Sequence, residues 1–152
     1  MRITVVGPAD LPELQPLMRA YCDFYQVAPG DQALLELSQA LLADPQRKGL
    51  QLLARDDTGR AVGFATLFWT WQTLAAARVG VMNDLYVTAQ ARGTGVAEGL
   101  IAACLERCRE HGATPARLAD GGRQPPRAGR LRADWGHPRR PLAGLPAAVD
   151  PG

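Results

Sequence analysis

The chain has 152 residues, one domain's worth, with 47% hydrophobic and 21% charged residues, which excludes a fibrous or wholly disordered protein. Its net charge of +2 is unevenly spread: residues 1–112 carry ten Lys and Arg against twelve Asp and Glu, residues 113–152 seven Arg against three Asp. No apolar run reaches the ~18 residues of a membrane helix, no apolar leader follows the N-terminus, and three cysteines make no disulfide scaffold, so a cytoplasmic setting without a membrane partner is predicted.

Arg2–Val6 reads as a short strand closed by Gly7-Pro8. The i, i+3, i+4, i+7 spacing of Leu11, Leu14, Leu17, Met18, Tyr21, Phe24 and Tyr25 predicts an amphipathic helix. Asp10 is its expected cap, ahead of Pro12, and Pro29-Gly30 its expected break. A second helix is predicted over Asp31–Leu42, its apolar side formed by leucines. Gly49–Ala54 reads as a strand, Asp56–Gly59 as a hairpin turn and Ala61–Thr70 as the partner strand. Residues 79–88 make a further strand with Val79, Val81, Leu85 and Val87 on one face. Beyond a turn at Ala89–Gly95, the last helix places Val96, Leu100, Ile101, Cys104 and Cys108 on one stripe and stops at Gly112. The order describes an α+β sheet domain.

The turn Gln90-Ala91-Arg92-Gly93-Thr94-Gly95 carries the chemical information. Two glycines let the backbone fold tightly and converge several N–H groups. The helix start adds free donors and a positive dipole end, and Arg92 adds a full charge, so the turn suits a pyrophosphate. A plain glycine-containing strand–helix turn is the alternative. A Walker A loop is excluded because the only lysine is Lys48, and a dinucleotide fingerprint because Gly93-x-Gly95-x-x-x-Gly99 is one residue too long.

In this setting Gln90-x-x-Gly93-x-Gly95 resembles the Gln/Arg-x-x-Gly-x-Gly/Ala signature of the GNAT superfamily of acetyl-CoA-dependent N-acetyltransferases. Met82-Asn83-Asp84, Leu85-Tyr86-Val87 and Tyr21–Tyr25 extend the likeness over residues 1–112. The resemblance implies a mixed, mostly antiparallel twisted sheet with flanking helices. It implies acetyl-CoA as co-substrate, held by the backbone of Leu85, Tyr86 and Val87 along its pantetheine arm and by the Gln90 turn. There the amides of Arg92, Gly93, Thr94, Gly95 and Val96 would hold the pyrophosphate. It further implies direct attack of a small-molecule or amino-acid amine on the thioester. Asp84 is the nearest candidate base, unless it only binds the amine or a backbone donor. Asn83, Tyr25 and Trp69 are the candidate acceptor contacts, with Tyr21 and Asp23 beside them and sheet packing the alternative for Trp69.

Cys104, Cys108 and His111 fall on one helix stripe without a fourth ligand, so no metal is expected. Residues 113–152 depart from the family: 28 of these forty are Arg, Ala, Pro or Gly, and no tyrosine follows Tyr86. Permitted codons for Leu118–His137, read one nucleotide later, return the family's Trp-x-Thr-x-x-x-Asn-x-x-Ala-x-x-x-Tyr segment in order. The domain is therefore expected to be an incomplete core over 1–112, its last strand and helix missing or replaced by a disordered or out-of-frame tail. Two alternatives follow: a catalytically defective acetyl-CoA-binding remnant, and a basic tail that binds nucleic acid. The first reading expects no nucleic-acid partner, and a homodimer is left open.

Overall fold

The computed structural model describes residues 1–117. Its frame is a meander of β2 (Gly49–Arg55), β3 (Ala61–Gln72) and β4 (Ala77–Val87). The first hairpin closes because the Asp56 carboxylate accepts from the Thr58 and Arg60 amides at 2.9 and 3.0 Å, with Gly59 at φ 87°. β1 (Arg2–Val5) pairs antiparallel with the far end of β2, Arg2 facing Arg55. At the other edge β5 (Thr114–Arg117) pairs parallel with β4, from Val79 opposite Thr114 to Met82 opposite Arg117. The sheet order is β1-β2-β3-β4-β5.

β5 corrects the expectation that the last strand is missing. The fold runs past residue 112: the Ala113 amide reaches back to the Cys108 carbonyl at 2.9 Å, and the chain enters β5 at the β4 edge directly after it. The expected frameshift, between about Gly112 and Leu118, and the tail over 113–152 with its missing final helix and nucleic-acid reading lie outside the described residues from residue 118 on.

Helices α1 (Leu11–Phe24) and α2 (Asp31–Ala43) cover one face, where Leu14, Leu17, Met18 and Leu34 bury against Leu53 and Phe64. Helix α3 (Val96–Glu110) covers the other, packing Leu100, Cys104 and Cys108 on Leu52, Leu67, Trp69 and Met82. Each large apolar side chain so buried contributes about 1.5–3 kcal/mol. Close approach at the β4–α3 crossing needs Gly80, where an added Cβ would lie 2.5 Å from Cys108 Sγ and 2.7 Å from the Trp69 ring.

Two helix-end expectations change. The Asp10 carboxylate caps no α1 amide; it accepts the Gly7 amide at 2.7 Å and the Arg55 guanidinium at 2.7 Å. Arg55, 7% exposed, also reaches Glu13 at 2.8 Å, so these ion pairs clamp the end of β2 to the start of α1. Helix α1 ends before Pro29-Gly30, at a left-handed Gln26 (φ 57°) with the Val27 amide donating to the Cys22 carbonyl. Phe24 and Tyr25, expected on the buried stripe, are therefore 47% and 44% exposed.

A third correction concerns β4. Asp84 faces Thr66 and Met82 faces Leu67, leaving Asn83 as an extra residue without a partner on β3. This bulge inverts the alternation. Gly80 and Met82 share the α3 side with Leu85 and Val87, so Val79 and Val81 lie on the opposite side, with Asp84 and Tyr86.

Candidate active site

The bulge delivers Asp84 to the α1 side of the sheet, half-buried and opposite Thr66, which itself stands opposite Gln51. Three polar side chains thus form a row across β2, β3 and β4, with Thr66 fully buried and Gln51 3% exposed. The Gln51 amide donates to Thr66 Oγ1 at 3.4 Å and to Met18 Sδ at 3.6 Å. Asn83 Nδ2 donates to Asp84 at 3.0 Å.

Burial pushes the Asp84 carboxyl above its ordinary range, against the pull of hydrogen bonds from Thr66, Tyr21 and Asn83. Burial, and then the Asp84 charge, raise the Tyr21 hydroxyl as well, so it stays a proton donor at neutral pH. A partly exposed carboxylate of raised proton affinity is suited to take a proton from an ammonium. Around it stand aromatic rings. Tyr21 meets Tyr25 at 4.9 Å, Phe64 at 5.8 Å and Tyr86 at 6.3 Å, each edge-on, and Phe24 meets Tyr25 at 5.3 Å.

Beyond Asp84 the strand offers its backbone. The Thr88 amide bonds the Val62 carbonyl at 2.9 Å, so by alternation Tyr86 also turns its polar backbone to β3. Leu85 and Val87 turn theirs the other way, where β5 pairs only as far as Met82 among the described residues. Of the three residues expected to bind pantetheine through their backbone, Leu85 and Val87 turn their polar backbone away from β3 and Tyr86 turns its toward β3.

In the turn, Gly93 (φ 77°) and Gly95 (φ 87°) are left-handed, and the start of α3 has no side-chain cap. Among the described residues no acceptor meets the amides of Gly93, Thr94, Gly95 and Val96. The Arg92 amide is directed instead at the Ala89 carbonyl, 3.4 Å away. The Arg92 guanidinium lies over the Phe24 ring at 6.0 Å and its Nε donates to the Val87 carbonyl at 3.3 Å. Thr94 Oγ1 holds the turn shut through the Ala91 carbonyl at 2.7 Å. Gln90 is exposed and lines, with Thr94, a 340 Å³ cleft whose other wall carries Asp56 and Asp57. Arg60 and Met1 line the same cleft, and the Met1 α-amino group pairs with Asp57.

Asn83, Asp84 and, through Tyr21, Tyr25 are brought together. Trp69 is not. It lies on the α3 side, 7% exposed, stacked on His111 at 4.1 Å with its indole N–H on the Pro45 carbonyl at 2.8 Å. Sequence reasoning missed Gln51 and Thr66, whose signal is a polar residue interrupting each of two apolar strands at matched hairpin positions.

Residues 14–123 match the model of the acetyltransferase (GNAT) family. The chain belongs to the GNAT acetyltransferases. An uncharacterized N-acetyltransferase of Bacillus subtilis (strain 168), YhfO, is 26% identical over 113 residues, 74% of each chain. The ribosomal-protein-alanine N-acetyltransferase of Brucella melitensis biovar Abortus 2308 is 26% identical over 77% of each chain, with a TM-score of 0.60. An integron cassette protein from the mobile metagenome of Cole Harbour Salt Marsh shares the fold, at 23% identity and a TM-score of 0.74 over 97% of this chain and 91% of that one. This GNAT chain is accordingly an acyltransferase, of a family that uses acetyl-CoA. No helix among the described residues is long and apolar enough to cross a membrane.

Proposed function

We propose that this chain transfers the acetyl group of acetyl-CoA to the primary amine of a small molecule, with Asp84 as the base. The observation that carries the reading is the bulge at Asn83, which sets a half-buried carboxylate of raised proton affinity directly before the outward-facing backbone of Leu85 and Val87. Asp84 takes one proton from the acceptor ammonium. The neutral nitrogen attacks the thioester carbonyl, the C–S bond breaks, and the departing thiolate receives the second amine proton. The Gly93–Val96 amides and Arg92 hold the pyrophosphate.

Tyr21, Phe24, Tyr25 and Tyr86 suit an acceptor whose ammonium is followed by an apolar or planar group, since ring faces attract cations and ring edges bury apolar surface. The absence of any tyrosine after Tyr86 favours a second reading. In it the chain binds acetyl-CoA without turnover, because residues 113–152 lack the family segment whose tyrosine would protonate the leaving thiolate. Calorimetric titration of acetyl-CoA, followed by a free-thiol assay over a panel of monoamines, polyamines and amino acids, separates the two. Saturable binding with amine-dependent thiol release is expected. Binding without release selects the second reading, and no binding overturns both.

A further inference from the structure

Gln51, Thr66 and Asp84 occupy directly opposed positions on three adjacent strands, on the face covered by α1. Gln51 and Thr66 are sealed from solvent, and polar groups so deeply buried are retained at a cost unless paired. A threonine hydroxyl has one proton to give and two lone pairs to receive. The direction of the row follows from its far end. Met18 Sδ only accepts hydrogen bonds, so the Gln51 group 3.6 Å from it must be the NH₂. That same nitrogen faces Thr66 Oγ1 at 3.4 Å, which makes the hydroxyl an acceptor toward Gln51. Its single proton is then free to point along the row.

We propose that Thr66, oriented by Gln51, is a positioning residue that holds the Asp84 carboxylate in its ionised form and fixes the oxygen left free for the acceptor amine. This rests on the reading of Asp84 as the base. The other titratable groups around Asp84 are Tyr21, Cys22 and, through Tyr21, Tyr25, all on or just after α1; Asn83 faces it from its own strand. Among the described residues no Lys or Arg forms an ion pair with it. Neutral hydrogen-bond donors alone therefore oppose the burial that drives Asp84 toward protonation, and Thr66 is the one locked by the sheet register.

The test is a ¹³C NMR titration of the Asp84 carboxyl in the full chain, its signal assigned by loss in Asp84→Asn. Thr66→Val keeps the volume and removes the donor, and should move the Asp84 titration upward by about one pH unit, a hydrogen bond to a charged group being of that strength. Thr66→Ser should restore it, and Gln51→Leu should move it in the same direction by less. An unmoved titration in folded Thr66→Val overturns the proposal. Should Thr66→Val not fold, Thr66→Ser and Gln51→Leu decide alone, and a Gln51→Leu titration equal to wild type overturns it. The readout needs no turnover. Failure of the base reading appears separately, as an Asp84→Asn variant that still acetylates.

Discussion

Tyr21, on α1, and Asp84, on β4, act on each other with opposite sign: burial and then the Asp84 charge raise the Tyr21 hydroxyl, while burial raises the Asp84 carboxyl against the pull of that hydroxyl. A helix laid over a sheet thereby turns an ordinary surface carboxylate into a candidate base. Because the folded-state pKa of Asp84 lies above its unfolded value, its ionisation opposes folding. Its stabilising effect is present in acid and lost as pH rises through the raised pKa.

Asp84→Asn should therefore separate function from stability. Amine-dependent acetylation falls by about 10²–10⁴-fold. At neutral pH the melting temperature stays level or rises, because a buried charge is replaced by a neutral amide of the same shape. Thermal melts at pH 5 and pH 8 check the sign. The variant's advantage over wild type is larger at the higher pH.

Arg55 gives the opposite pH dependence. Arg55→Met leaves Asp10 and Glu13 without their guanidinium and should cost about 2 kcal/mol in urea unfolding, less than a fully sealed pair because Glu13 is largely exposed. The Gly7 amide, then the Arg55 guanidinium, hold the Asp10 carboxyl below its usual 3.8. That contribution is complete above the usual value and disappears as pH falls through the lowered one. The stability gap between wild type and variant should narrow as pH falls below the usual carboxylate range.

Gly95→Val tests the cradle. At φ 87° a β-branched residue is strained by about 1–2 kcal/mol, and the amides at the start of α3 shift. Acetyl-CoA affinity measured by calorimetry should fall at least tenfold. Affinity equal to wild type would place the pyrophosphate elsewhere.

Trp69→Ala should do the reverse. It removes the stack on His111 and opens a cavity over Gly80, costing about 3–5 kcal/mol in stability. Under conditions where the variant stays folded, kcat/KM for the acceptor should stay within about twofold of wild type. A selective rise in acceptor KM would return Trp69 to the pocket.

The helices, the meander and the turn were legible because each rests on local pattern: leucines at helical spacing, Asp-Asp-Thr-Gly at a hairpin, two glycines ahead of α3. What was not legible depends on partners distant in the chain. The bulge at Asn83 is set by the register against β3, and without it Val79 and Leu85 seem to share a face. β5 is four residues of unremarkable composition, with Pro115 among them, and exists only because β4 presents an edge. Trp69 reads as a pocket wall from its type alone; its place is decided by α3, more than twenty residues on.

The sheet register also orders events in folding. β2, β3 and β4 are sequence neighbours joined by short hairpins, so their pairings close small loops and are expected to form first. β1 must wait until residue 55 exists, since Arg2 faces Arg55, and β5 must wait for α3. The Gln51–Thr66–Asp84 row lies wholly within the early meander. On a growing chain the groups proposed to hold and take the proton would meet before the Gly93–Gly95 turn has its helix, and mutations in β1 or β5 should speed unfolding more than they slow folding.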